Sequence, residues 1–403
     1  MRTADLRTLE PAIENTATTY SPSTVADDAV LTEVCAALFT FLRRSDQRRK
    51  GEEYLRGLLA APGRKSIRSM AAVLGGRGTA QSLHHFICSS TWDWVPVRRG
   101  LARYLVETAP PAAWVLHPLV IPKGGQHSVG VGRFFSPADG QLLSAQQAVG
   151  LWAASERFTG PVNWKLHLPG SWFEASGRGD RAPEAGSERP GDPAVEAYLE
   201  AMSDWGLPAL PVVVNLETAE TLPVVRALYA AGAPFAARIG GNLALTVDDP
   251  ALTGYGSATL PAMQIMHAAR KLRRPVAAPG RPGGPAMVAA VRVREPSPGE
   301  ECPATLRRGR RLLLWGVGAP GADRPDELWL SDVRTTRPAA LLRLSGLAAK
   351  VEHDVASVSE NVGIRDYVGR SYAGWHRHIT LASAAHAVVV RSAYSAWPLN
   401  RAS

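Results

Sequence analysis

The stretch AWVLHPLVI at Ala113–Ile121 decides how the chain is read. It is an apolar run with β-branched residues and no helical spacing, the pattern of a buried strand. Ser128–Phe135 (SVGVGRFF) alternates as a second strand, Ser144–Ala154 is a third, and PVNWKLHL at 161–168 is a fourth. Short turns at Gly124-Gly125 and Ala138-Asp139-Gly140 make these strands a meander. Beyond it, residues 176–192 are rich in Gly, Arg, Glu and Pro and read as a disordered linker. A helix follows over Pro193–Gly206, then an apolar strand at Ala209–Val214, a helix at Leu222–Ala231 and a strand at Phe235–Ile239. Helices that alternate with strands after a meander imply an α+β, mixed sheet. Residues 251–306, dense in Gly, Pro and Ala, read as a weakly structured insertion. Arg307–Val317 and Asp326–Asp332 read as a hairpin, and the pattern from Pro338 onward is helical.

Upstream of the meander the texture is different. Residues 1–30 are a polar, aperiodic arm, and residues 31–108 are helical throughout. Within them, Ser66–Ile87 has the pattern of a helix-turn-helix: Ile67, Met70, Ala71 and Leu74 form one apolar stripe, Gly75–Gly78 break it, and Thr79 is the N-cap of a second helix with Leu83, Phe86 and Ile87 inward. The outer face would then carry Gln81, Ser82, His84 and His85, flanked by Arg64, Lys65 and Arg68. A recognition helix needs polar groups outward and basic groups for phosphates beside it. A plain helical hairpin gives the same pattern, so both readings stand at this level.

Composition narrows the class. Of 403 residues, 45% are hydrophobic and 20% charged, as in ordinary globular proteins, but the net charge is +9. Lysine occurs only at positions 50, 65, 123, 165, 271 and 350, so arginine supplies most of the positive charge. An arginine-rich balance suits a polyanionic partner, although GC-rich codon usage would leave the same mark. Cys35, Cys88 and Cys302 lie far apart without CxxC spacing, which argues against a zinc site or disulfide scaffold and fits a reducing cytosol. No apolar run is long enough to span a membrane, and no secretory h-region is expected. The expected location is cytoplasmic and nucleoid-associated.

Several segments, in order, resemble insertion-sequence transposases of the DDE superfamily, which have an RNase H-like core. VLHPLVIPKG at 115–124 resembles the family's first core strand, SVGVGR at 128–133 the hairpin that follows, LHLPGSW at 166–172 a conserved-pattern L-Y-L-P-x-x-W, and RSYAGWHRHITLASAAHA at 370–387 the helix R-x-W-x-G-W-x-R-H-I-T-L. The resemblance implies an N-terminal all-helical DNA-binding domain at 31–108. An RNase H-like α/β core at 109–250 and 307–395 would follow, interrupted by the insertion at 251–306. It implies double-stranded DNA as partner and a homodimer as assembly.

Strand transfer in that family uses two divalent metals held by two aspartates and a glutamate. Here the first position falls on His117, the second on Asn215, and the third on Glu352. A neutral imidazole is a poor Mg²⁺ ligand and an amide has lost the charge. The expectation is a catalytically inactive, transposase-derived, sequence-specific DNA binder that acts as a transcriptional regulator and needs no cofactor. The alternative is an active, divergent transposase using Mg²⁺ or Mn²⁺, with Glu217 or Asp354 replacing a lost ligand. The expected DNA contacts are Arg43, Arg44, Arg48 and Arg49, then Arg64, Lys65 and Arg68, the face Gln81, Ser82, His84 and His85, and farther on Lys123, Arg308, Arg310, Arg311, Arg370 and Arg377. Trp375 and His378 read as helix-packing residues.

Overall fold

The structure of the protein is a computed structural model that describes residues 27–125, 128–136, 140–170, 192–216, 218–255, 258–277, 284–296, 311–333 and 337–396. The chain divides into two compact units. Ala209–Ala349 form a continuous unit, while the segment that ends at Pro208 and the segment that begins at Lys350 together form a discontinuous one.

The discontinuous unit opens with five helices: α1 (Asp28–Phe39), α2 (Ser45–Ala60), α3 (Ile67–Leu74), α4 (Arg77–Cys88) and α5 (Trp94–Thr108). Polar caps fix three of the starts. Asp27 accepts from the Ala29 amide at 2.8 Å, Ser66 from Ser69 at 3.1 Å and Asp93 from Val95 at 2.9 Å, each satisfying a donor the helix cannot. Thr79 is not a cap. The N-cap of α4 is Gly76, because Gly75 (φ +129°) and Gly76 (φ +95°) complete the turn by themselves.

Strands β1 (Ala113–Pro122), β2 (Val131–Ser136), β3 (Gln141–Ala154) and β4 (Thr159–Leu166) follow as the antiparallel meander. β3 is the long central member. β1 lines one of its edges from Ala113↔Ala154 to Pro122↔Ala145, and β2 and β4 share the other. The β3–β4 ladder shifts register between Leu151 and Trp152, leaving Val162 unpaired beside Pro161. Proline has no N–H for a ladder, and a bulge is where a strand tolerates it. The helix α6 (Asp192–Leu199) then widens into a π-helical turn at Glu200–Asp204.

The continuous unit begins with β5 (Val212–Val214), α7 (Thr218–Ala230) and β6 (Phe235–Ile239). β5 and β6 pair in parallel, which requires the helical crossover between them. The remaining elements are β7 (Ala244–Val247), β8 (Thr259–Pro261), α8 (Ala262–Ala268), β9 (Arg274–Val276), β10 (Ala286–Arg294), β11 (Arg311–Gly318) and β12 (Glu327–Ser331). Strand order is β5-β6-β12-β11-β10-β7-β8, with β9 also on β10. The hairpin expected near the end of this unit is β11–β12, and Trp315 stacks on its cross-strand partner Trp329 at 5.4 Å. The described part of 251–306 departs from the weakly structured expectation: it carries β8, α8, β9 and the nine-residue β10, whose Val288, Val291 and Val293 are buried. Helix α9 (Pro338–Asp354) leads out of the unit.

Beyond a π-helical turn at Val355–Ser359, the last helix, α10 (Tyr372–Ala396), completes the discontinuous unit. Gly374 through Val388 are all buried. The helix contacts α1, α2, α4, α5 and β4, so the N-terminal helices share one core with the meander. The architecture is mixed α+β, a helical N-terminal region followed by a sheet-containing core, in keeping with an RNase H-like fold.

Candidate nucleic-acid interface

Helices α3 and α4 form the paired arrangement read from Ser66–Ile87. Leu83, Phe86 and Ile87 are buried; Gln81, His84, His85 and Arg68 are exposed, and Ser82 is half-buried. Two polar imidazoles and an amide thus stand outward on one short helix, as base-edge readers would. The basic group at the start of α2 is likewise exposed. Arg44 pairs with Asp46 at 2.8 Å, Arg48 donates to the Leu42 carbonyl at 2.7 Å, Arg49 lies 3.8 Å from Glu53, and Arg43 is exposed beside them.

Two of the expected contacts are internal. Lys65 is buried: its ammonium donates to the Ala61 carbonyl, and its own amide donates to Asp366 at 2.7 Å. Arg377 is also buried, donating to the carbonyls of Trp92 and Ile87, both at 3.0 Å, with its guanidinium over the Trp92 ring. These groups fasten α10 and the α2–α3 turn to their neighbours and do not face solvent. Arg311 is exposed at the start of β11 and lies 3.7 Å from Asp248. Arg308 and Arg310 lie outside the described residues.

Three other expected contacts come together. Arg64, Lys123 and Arg370 line one open cleft of about 440 Å³ at the end of β1, with Pro122, Gly124, Gly125, Ser128, Arg365 and Val368. Lys123 Nζ donates to the Tyr367 carbonyl at 2.7 Å. Burial, and then the Arg64 cation, push its pKa down to about 8 against the pull of Asp366. Arg365, which sequence reading missed, donates to the Val120 carbonyl at 2.8 Å and lies 3.1 Å from Glu360. Reading the pattern after Pro338 as helical throughout hid it, because the cleft's share of that region is the non-helical segment before α10.

The RHIT stretch of α10 also depends on a missed residue. Arg98, fully enclosed on α5, donates to Thr380 Oγ1 at 2.8 Å, the Trp164 carbonyl at 2.9 Å, His376 Nδ1 at 2.9 Å and Asn163 Oδ1 at 3.3 Å. The signal was present: Arg98 falls on the apolar stripe of Trp94, Val97, Leu101 and Leu105.

The three triad positions have different settings. His117 is buried in β1, edge-on to Trp152, and its Nδ1 has no hydrogen-bond partner among the described residues. Burial, with the Arg365 cation, lowers its pKa to about 4, so it is neutral at physiological pH. Asn215 is buried just after β5 in the continuous unit. Glu352 is exposed on α9, whereas Asp354, two residues on, is fully enclosed, accepting from Thr159 Oγ1 at 2.6 Å and pairing with Lys350 at 3.0 Å. Glu217 lies outside the described residues. Among the described residues, no three His, Cys, Asp or Glu side chains gather as a metal ion would require. No helix among the described residues is long and apolar enough to cross a membrane.

No curated protein matches the chain. A family model described as DDE superfamily endonuclease matches residues 37–292, a span that takes in positions 117 and 215 and ends before 352. That match covers more than half of the chain and agrees in order with the helical region and the core that follows it. The chain belongs to the DDE superfamily endonuclease family.

Proposed function

We propose that this protein binds double-stranded DNA by sequence, does not cut it, and acts as a transcriptional regulator. The observation that carries the reading is the donor set at the three triad positions. The family implies a pair of hard divalent cations. The groups available are a buried neutral imidazole at 117, an amide at 215 and a surface carboxylate at 352. Mg²⁺ prefers charged oxygen donors, and one carboxylate does not fit two such ions. At tenfold in rate per about 1.4 kcal/mol, losing several kcal/mol of metal and transition-state stabilisation removes the chemistry. DNA recognition is assigned to the exposed face of α4 and the basic groups of α2. A homodimer belongs to the same reading and would appear as paired half-sites about one helical turn apart.

The test uses the purified full chain and DNA from upstream of its neighbouring genes. The expected outcome is a discrete protected site, together with no nicking of supercoiled plasmid above the protein-free rate in Mg²⁺ or Mn²⁺. Gln81→Ala with His85→Ala should weaken specific binding by about 5- to 100-fold, the worth of one lost base contact, while leaving the weak sequence-blind component. Metal-dependent strand breakage that disappears in Glu352→Ala would overturn the reading, and uniform binding to every sequence would remove the regulatory part of it.

A further inference from the structure

We propose that the cleft at the end of β1 is a binding site for a phosphate monoester, supplied by the 5′-phosphate of a nucleic-acid end. Its nucleic-acid source rests on the DNA-binding reading above; its phosphate chemistry does not.

Three segments distant in sequence build the cleft: Arg64 from the turn before α3, Lys123, Gly124, Gly125 and Ser128 after β1, and Arg365, Val368 and Arg370 before α10. Four cationic side chains line it and, among the described residues, no carboxylate does. Two acids lie close to these cations. Asp366 accepts from the Lys65 amide and lies 3.9 Å from Arg64, and Glu360 lies beside Arg365 Nε. Two of the cations are held in place before any ligand arrives, Arg365 by the Val120 carbonyl and Lys123 by that of Tyr367. Lys123 keeps two of its three ammonium protons for a ligand, and side chains already ordered lose less entropy on binding.

The charge decides between a strand end and a strand interior. A phosphate monoester carries about 1.5 to 2 negative charges near pH 7 and three acceptor oxygens. An internal diester carries one charge and repeats along a line, which suits dispersed cations such as Arg43, Arg44, Arg48 and Arg49 on α2. Convergence of four cations in a recess of about 440 Å³ matches the concentrated charge. Burial first and the neighbouring Arg64 second lower the pKa of Lys123, against Asp366, so the cluster's own repulsion adds to the effect of enclosure.

The experiment measures fluorescence anisotropy of the full chain with one labelled duplex ending in either a 5′-phosphate or a 5′-hydroxyl, and calorimetric titration with inorganic phosphate and a nucleoside 5′-monophosphate. The phosphorylated end should bind about tenfold tighter at pH 7, as one charge-assisted contact set predicts. That advantage should vanish in Arg365→Gln and in Arg370→Gln, the second being exposed and free of any role in the core, and persist in Arg274→Gln outside the cleft. If both ends bind alike while the monophosphate binds and is lost in the two variants, the monoester site stands and the nucleic-acid source falls. If the chain binds no DNA yet takes the monophosphate in a cleft-dependent way, the DNA-binding reading fails and the site survives. Absence of monoester binding, or binding that both cleft variants leave unchanged, overturns the proposal.

Discussion

Arg98 concentrates more polar obligation than any other side chain of the discontinuous unit described above. Its guanidinium serves Thr380, Trp164, Asn163 and His376 without a carboxylate in direct contact; the nearest negative charge reaches it through Asn163, which donates to Glu200 at 3.1 Å. Burial lowers its pKa to about 10, leaving it charged at neutral pH. Arg98→Ala would strand several buried acceptors at once and should cost about 3–5 kcal/mol, two or more unsatisfied groups at roughly 1–3 kcal/mol each. Arg98→Lys should recover little of this, because an ammonium cannot span the planar fork. Urea denaturation followed by tryptophan fluorescence checks both. A lysine variant as stable as the parent would contradict the assigned geometry.

At the scale of elements, the α3–α4 pair depends on two glycines. Gly75 and Gly76 hold φ values of +129° and +95°, and a Cβ built on Gly76 meets nothing within 4 Å, while one on Gly75 meets only Thr79 at 3.6 Å. The cost of a side chain there is therefore torsional rather than steric. Gly75→Ala and Gly76→Ala should each destabilise by about 1–3 kcal/mol. Gly78, the second residue of α4 with an ordinary φ and open space, is the contrast: Gly78→Ala should stabilise by roughly 0.4–1 kcal/mol. Thermal midpoints moving in opposite directions are the expected result, and a common direction would show that the turn conformation is not what constrains these positions.

Over the whole molecule, the pH dependence of stability should reflect the imidazoles enclosed in the discontinuous unit. His378 Nε2 faces the Gly363 carbonyl and His386 Nε2 that of Thr159, each at 2.8 and 3.0 Å respectively, so these nitrogens donate. Their Nδ1 atoms then accept from Tyr54 and Ser359 hydroxyls, which fixes both rings as neutral tautomers. Burial lowers the pKa of His117, His378 and His386 to about 4, and that of His376 well below the usual value. Between pH 6.5 and 4 the unfolded chain takes up protons that the folded chain refuses. The contribution of these groups to stability is thus intact above 6.5 and falls as pH falls, by up to about 1.4 kcal/mol per pH unit for each ring. Urea midpoints at pH 7.5, 6 and 5 should decline, and His386→Gln should decline less steeply. A flat profile over this range would mean the rings are solvated.

Sequence alone determined the elements and their order: the meander from Ala113, the glycine-broken helix pair at 66–87, the β11–β12 hairpin and the residue types at 117, 215 and 352. Each is written in local periodicity, turn residues or side-chain chemistry, which act over a few positions. It overlooked the strand in 286–294, where alanines interrupt the run of buried valines. Only tertiary structure decided which basic residues face outward. Arg370 and Arg377 stand seven residues apart, yet one lines an open cleft and the other is sealed beneath Trp92. Guanidinium groups satisfy buried carbonyls as readily as phosphates, so charge by itself carries no direction. Burial is set by what packs across from a residue, and the partners of α10 include helices far back in the chain: Arg377 reaches Ile87 across 290 positions and His378 reaches Tyr54 across 324.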